Sequence, residues 1–366
     1  MLSLFRFVIL GLATLTFAHP GEEHHHDRAV ELSVREFKAA AKRGLSACSE
    51  KLQRRDFHNR AAERRAAKVE ARRRHLNSLV VRDTNTTADT SHLSSENYTS
   101  STPESTIFAS NGTCILNPEG ETGPYWVKGE LIRSNITEGE PGVPVTIEGQ
   151  FVDVETCEPI VGLYWDVWHC NSTGVYSGVV AMGNGNSDDE SNLDSIFLRG
   201  IQQSDDEGVV TFDTVFPGHY TDRATHIHMI AHLNATLLSN NTLSGGTVPH
   251  VGQVFFDQDL ITDVEALYPY STNTINITEN VDDSVFIAET EDSTSDPVLE
   301  YVYLGDSLSD GLFAWITVAV NTSATYDPNY SYVYTANGSV AESGGDDSTQ
   351  PGSGGNQTQP SQSPGL

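Results

Sequence analysis

Two phenols and a pair of imidazoles set the first question. Tyr176 stands in Gly174-Val175-Tyr176, Tyr220 in Pro217-Gly218-His219-Tyr220, and the imidazoles in His226-Ile227-His228. Two tyrosine oxygens with two imidazoles suit ferric iron, because a hard trivalent cation prefers anionic oxygen donors and also accepts imidazole. No thiolate is needed, and of the four cysteines only Cys170 is close in sequence. Arg223 lies three residues before His226 and is one of only four basic residues after Asp83.

The elements around these residues must bring them together. His226 and His228 are two apart in a strand-like run, so both rings project from one face, with Ile227 and Met229 on the other. His232 shares the histidine face but lies ~13 Å beyond His228 at strand rise, too far to join the set. Pro217-Gly218 favours a tight turn that returns the Tyr220 phenol over the histidine strand. Tyr176 follows the run Trp165-Asp166-Val167-Trp168-His169 and a turn from Asn171 to Gly174. Each residue alone has an ordinary reading: a lone His-X-His is commonly structural, and a tyrosine after a turn is commonly half-buried packing. Only convergence makes them a metal site.

The surrounding sequence reads as mainly β. Short β-branched and aromatic runs at 143–152, 161–169, 209–215, 226–233, 251–256 and 313–320 are bounded by Gly, Pro, Asn and Asp, the signature of a β-sandwich. The catalytic domain is expected over 107–334. Residues 1–18 read as a secretory leader, with Arg6, an apolar stretch to Phe17, and small Thr16 and Ala18 before a cut at His19. That stretch is too short to span a bilayer, and no other segment approaches the ~20 apolar residues required. Residues 19–82 hold a patch of His19, His24, His25 and His26, then a basic helical segment over 33–79. Its role as pro-segment, partner helix or surface-binding helix is left open. The Ser/Thr/Asn-rich stretch 83–106 reads as a linker and 335–366 as a disordered Gly/Ser/Gln/Pro tail.

Export is also expected from twelve Asn-X-Ser/Thr sequons, from Asn85 to Asn356. In an oxidising compartment the four cysteines favour two bridges, with Cys157–Cys170 and Cys48–Cys114 the preferred pairing. The net charge of −29 is uneven: sixteen of the 21 basic residues lie between Arg28 and Arg82. From Asp83 onward four basic residues face 41 acidic ones. An acidic main domain is a poor ligand for nucleic acid or anionic membrane. Oligomeric state is not set by the sequence.

Across 121–260 the chain resembles the intradiol ring-cleavage dioxygenases, which include catechol and protocatechuate dioxygenases. The resemblance is carried by Glu121-Thr122-Gly123-Pro124-Tyr125-Trp126, Asp166-Val167-Trp168-His169, Gly174-Val175-Tyr176, Pro217-Gly218-His219-Tyr220, Arg223 through His228, and Gly252-Gln253-Val254-Phe255-Phe256. It implies a mixed two-sheet β-sandwich. It also implies non-haem Fe(III) held by Tyr176, Tyr220, His226 and His228, with Arg223 and Gln253 shaping the substrate site. Tyr125 is a candidate for lining the pocket mouth, or for packing. The leader and chain length are more like the secreted fungal members. A helical lobe like that of the catechol enzymes is not recognisable in 28–79, and 183–194 is unusually rich in Asp, Asn and Gly.

The implied reaction inserts O2 between the two hydroxyl-bearing carbons of a small catecholic aromatic and gives a cis,cis-muconate-type diacid. Tyr220 is the phenol expected to take up a substrate proton, Arg223 to stabilise the anionic ring-derived intermediate, and Gln253 to hydrogen-bond an oxygen. The alternative is a non-enzymatic β-sandwich that binds phenolics, iron or cell-wall polymer.

Overall fold

The computed structural model describes residues 57–79, 125–186, 188–290 and 297–341. In chain order they form helix α1 (Phe57–Leu79) and strands β1 (Val127–Lys128), β2 (Pro144–Asp153), β3 (Tyr164–Trp168), β4 (Arg199–Gln203), β5 (Val209–Val215), β6 (His226–Leu233), β7 (Thr236–Leu237), β8 (Leu243–Ser244) and β9 (Thr247–Phe255). Helices α2 (Gln258–Glu265) and α3 (Ser284–Thr290) follow, then β10 (Glu300–Tyr303), β11 (Leu312–Val320), β12 (Tyr332–Thr335) and β13 (Gly338–Ala341). The expected leader, His-rich patch, linker and the first part of the basic segment lie outside the described residues. Among the described residues no helix is long and apolar enough to cross a membrane.

The six strand runs expected from sequence correspond to β2, β3, β5, β6, β9 and β11. They build two sheets. One is mixed, in the order β10-β11-β2-β5, with β2 and β11 parallel. The other, β4-β3-β6-β9, is antiparallel. Alternation sends Ile147 and Phe151 of β2, Phe212 of β5 and Ile316 of β11 into one core. Trp165 and Val167 of β3 and Ile227 and Met229 of β6 meet them from the second sheet. Burying each such side chain contributes roughly 1.5–3 kcal/mol. The opposite face of β6, carrying His226 and His228, turns away from this core toward a second aromatic cluster.

Helix α1 lies on the outer face of the mixed sheet. Phe57, Ala61, Arg65 and Val69 recur every four residues, so they share one stripe, and all four are buried. Val69 packs with Val302, Phe313 and Trp315. Around it a cationic row meets one fully buried carboxylate. Arg65 Nε donates to Glu148 Oε1 at 3.0 Å and Lys68 Nζ to Glu148 Oε2 at 2.8 Å, with Arg64 Nη2 at 3.2 Å. Burial works to raise the Glu148 pKa, but Lys68, Arg64 and Arg65 together hold it below the usual carboxylate value. Of the readings left open for this segment, the described part is a helix docked on its own domain. The basic triplet Arg72-Arg73-Arg74 lies inside it, with Arg73 donating to the Tyr303 carbonyl at 3.0 Å.

Two expectations are corrected or shifted. The Cys157–Cys170 bridge does not form: Cys170 is a buried free thiol, donating to the Gly218 carbonyl at 3.3 Å. Cys157 is disulfide-bonded, to a partner outside the described residues. Proximity in sequence misled because β3 lies between the two, and Cys170 turns into the aromatic cluster. Peptide mapping without reduction should find Cys157 joined to Cys48 or Cys114 and Cys170 alkylated only after unfolding; a 157–170 peptide would contradict this. The domain also runs past Tyr334. The Ala336-Asn337 connection, followed by Gly338 at φ 92°, closes a β12–β13 hairpin that ends at Ala341.

Candidate active site

Strand register sets a row of side chains across the second sheet. Arg199 is opposite Trp168, Trp168 opposite His228, and His228 opposite Gln253. Trp168 stacks on the His228 ring, with centroids 4.8 Å apart and planes 5° from parallel. His226 sits two residues earlier on the same face. Its Nδ1 is 2.6 Å from the Ala224 carbonyl. A carbonyl can only accept, so Nδ1 carries the proton and Nε2 presents a lone pair. That Nε2 lies 3.0 Å from His228 Nε2 and 3.3 Å from the Tyr220 hydroxyl. His232, further along the strand, pairs with Asp166 at 3.3 Å instead.

The two tyrosines come from loops that cross at close range. Gly218 N–H donates to the Asn171 carbonyl at 3.2 Å, and a Cβ at Gly218 would sit 2.6 Å from that oxygen. Gly174 has φ 82°, and a Cβ there would sit 2.3 Å from the His219 carbonyl. Both positions therefore require glycine for the phenols to meet. Asn184 fixes Tyr176 from both sides: its side-chain oxygen accepts from Tyr176 N–H at 2.7 Å and its amide donates to the Tyr176 carbonyl at 3.0 Å. The Asn/Gly-rich stretch after Tyr176 is thus a local clamp. His219 ties the other loop down, with Nδ1 2.7 Å from Glu265 and Nε2 2.8 Å from the Ile275 carbonyl. Two acceptors require protons on both ring nitrogens. Burial opposes that charge, and Glu265 with the Ile275 carbonyl raises the pKa of His219 above its usual value.

Tyr176 and Tyr220 are buried, with ring centroids 5.3 Å apart. Tyr125 is buried as well. It stacks on Tyr176 at 4.5 Å, meets Tyr220 edge-on at 5.5 Å, and donates to the Met182 carbonyl at 3.3 Å. Its ring is a wall behind both phenols. Arg223 is fully buried. Its Nη1 donates to the Tyr220 hydroxyl at 3.4 Å and its Nη2 to Gln253 Oε1. Its Nε donates to Asp283 Oδ2 at 2.8 Å. Burial would raise the pKa of Asp283, yet Arg223 holds it down at about 2.

Sequence reasoning missed Arg199, Asn184 and Asp283. Arg199 is buried, with its guanidinium 5.9 Å from the Tyr176 ring centroid. Its signal was scarcity, being another of the four late basic residues. Asp283 had a signal as the residue before the short apolar run of α3.

The residues fit a metal ion. Among the described residues no group of three or more His, Cys, Asp or Glu is arranged to hold one, so a cation here must use phenol oxygens. Donors bound at ~2.1 Å and at right angles lie ~3.0 Å apart, close to the His226–His228 and His226–Tyr220 spacings. The ring proton of His226 goes to a carbonyl, the usual outer partner of a metal-bound histidine. The Tyr176 hydroxyl is buried and makes no hydrogen bond of sound geometry. Burial raises the pKa of both phenols; for Tyr176 the Tyr220 neighbour adds to the rise, while for Tyr220 Arg223 acts against it. A trivalent cation would reverse that and ionise both.

The chain is similar to several known proteins. A family model described as "Dioxygenase" matches residues 122–279, which contain all four donors, Arg223 and Gln253. An intradiol ring-cleavage dioxygenase from Tetranychus urticae is 31% identical, over 58% of this chain and 98% of its own, with a TM-score of 0.48. The dioxygenase domain of a carbohydrate-binding fusion from Streptomyces sp. SirexAA-E is 22% identical, over 57% and 97% of the two chains, with a TM-score of 0.36. Catechol 1,2-dioxygenase from Pseudomonas arvilla C-1 is 19% identical, over 57% and 61%, with a TM-score of 0.31. A comparison with curated proteins gives no match. This chain belongs to the intradiol ring-cleavage dioxygenases, enzymes that open catechol-type rings. That decides against the non-enzymatic alternative.

Proposed function

We propose that the chain is an exported iron(III) enzyme that cleaves a small catecholic aromatic between its two hydroxyl-bearing carbons. Tyr176, Tyr220, His226 and His228 hold the metal. The observation that carries this reading is that Tyr220 Oη and His228 Nε2 lie 3.3 and 3.0 Å from His226 Nε2, with the Tyr176 hydroxyl buried close by. Bound ferric iron would supply Lewis acidity, drawing electron density from a deprotonated catechol so that the ring becomes reactive toward O2.

The chain's own residues supply the rest. Tyr220 is the phenol that takes up a substrate proton; its oxygen accepts from Arg223 and lies 3.3 Å from His226 Nε2. Arg223 carries a fixed positive charge in a water-excluded site, where it stabilises negative charge developing on the ring. Gln253 is oriented by Arg223 and hydrogen-bonds a substrate oxygen. Tyr125 closes the wall behind the phenols. Export is supported by the apolar leader and the sequons, both features of the sequence.

Full-length chain expressed in a eukaryotic host should be recovered from the medium and be red to burgundy when iron-loaded, because phenolate-to-iron(III) charge transfer absorbs visible light. It should consume O2 with at least one member of a catechol panel and release a muconate-type diacid. Tyr220→Phe should weaken the colour and lower turnover by about 10²-fold, the scale of a lost proton acceptor. Colourless protein with stoichiometric iron, or full turnover in Tyr220→Phe, would overturn the ligand assignment.

A further inference from the structure

Asp283 lies beyond the residues matched by the family model, yet it is fully buried against the active-site arginine. Its Oδ2 accepts from Arg223 Nε at 2.8 Å and from Ala224 N–H at 2.8 Å. Its Oδ1 accepts from Val285 N–H and Phe286 N–H, each at 2.9 Å, in the first turn of α3. One carboxylate therefore joins three things: the guanidinium, the backbone leading into the His226 strand, and a helix from a remote part of the chain.

This arrangement constrains Arg223 strongly. A guanidinium is a rigid planar fork, so fixing Nε and its plane fixes where both Nη atoms point. Those atoms are the ones that reach Gln253 and the Tyr220 hydroxyl. Asp283 is in turn immobilised by the amides of α3, which cost it no freedom when substrate arrives. We infer that Asp283 is a positioning residue for turnover: it sets the plane and register of Arg223, and through Arg223 those of Gln253, while touching no substrate itself. The inference rests on the reading of Arg223 proposed above. It assigns α3, a segment outside the matched family region, a part in the site.

The chemistry of the pocket makes the substitutions informative. All four partners of Asp283 are donors. Asn has a single acceptor oxygen, so Asp283→Asn turns an amide toward donors on one side or the other. Ser can still accept from the first-turn amides as a helix cap, so Asp283→Ser keeps that bond and removes the carboxylate from Arg223. Both should lower kcat/KM by about 10- to 10²-fold, the scale of an ångström-level misplacement of a catalytic group. In an Arg223→Lys background, where the fork is already gone, they should lower it no further.

The experiment is that cycle, with melting curves for folding and an arginine-side-chain NMR spectrum of wild-type protein free of metal and substrate. The spectrum should hold a downfield, slowly exchanging Nε–H resonance that disappears in Arg223→Lys and shifts or broadens in Asp283→Ser. A folded Asp283 variant with full kcat/KM, an equal loss in the Arg223→Lys background, or no protected Nε–H in wild type would each overturn the assignment. Full activity in Arg223→Lys alone would instead sink the underlying role of Arg223, leaving the Nε–H measurement to judge the pairing.

Discussion

Arg223→Ala is expected to lower kcat by about 10²–10³-fold, the cost of removing one preorganised group from the place where negative charge develops. The guanidinium is fully buried and bonded to Asp283, Gln253 and Tyr220. Its charge therefore acts in a medium where Coulomb energies are far larger than in solution. Because it serves charge that appears only during reaction, kcat and kcat/KM should fall together and KM change little. Removing it also takes from the Asp283 carboxylate its charged partner, leaving three backbone amides, and breaking a buried ion pair from one side costs up to about 3–5 kcal/mol of stability. Alanine alone thus mixes two effects. Arg223→Lys separates them: the charge remains, but a single ammonium cannot reach Asp283, Gln253 and Tyr220 in one plane. It should melt within a few degrees of wild type, keep the visible band of the loaded enzyme, and still turn over at least tenfold slower. Steady-state kinetics with the best catechol of the panel, read beside melting curves, decides this. Wild-type kcat in Arg223→Ala would remove the residue from the mechanism.

The parts of this site legible in the sequence are those governed by short-range rules. Period-2 alternation alone put His226 and His228 on one face and Ile227 and Met229 on the other, and β6 has that arrangement. The tight turn expected at Pro217-Gly218 lies instead just after Tyr220, at Thr221-Asp222, where Arg223 N–H donates to the Tyr220 carbonyl at 3.3 Å and Asp222 has φ 63°. The major strands followed from β-branched runs, since each run was long enough to fill a core face. What was not legible depends on contacts between distant segments. Asp283 is sixty positions from Arg223, and a carboxylate before a short helix looks like any cap until the fold closes. Asn184 lay in a stretch whose composition suggested only a loop. Cys170 looked like a partner for Cys157 because pairing was judged by separation along the chain, whereas it is a free thiol buried in the aromatic cluster. The β12–β13 hairpin was hidden by its tail-like composition, although the dipeptide Asn337-Gly338 is a strong hairpin signal in a sequence.

Replacing Arg65 and Lys68 together by Ala should destabilise the domain by about 3–5 kcal/mol, the cost of breaking a buried ion pair from one side. At a domain of this size that is roughly a 10 °C fall in Tm. Glu148 projects from the outer face of β2 and is fully buried by α1. Without these two cations its charge keeps only Arg64, whose side chain is 15% exposed. The Arg65 guanidinium, 5.6 Å from the Trp315 ring centroid, would also leave that ring less well covered. Adding Glu148→Gln to the double variant should recover much of the loss, since a neutral amide tolerates burial far better than an uncompensated carboxylate. The sign of that third change is the discriminating result: further destabilisation would mean that α1 is held by Val69 and its apolar neighbours rather than by charge. The site lies on the far face of the other sheet, so kcat measured well below the melting range should not move. If kcat fell in parallel with helix docking, α1 would belong to the catalytic unit in a way that its position on the mixed sheet does not explain.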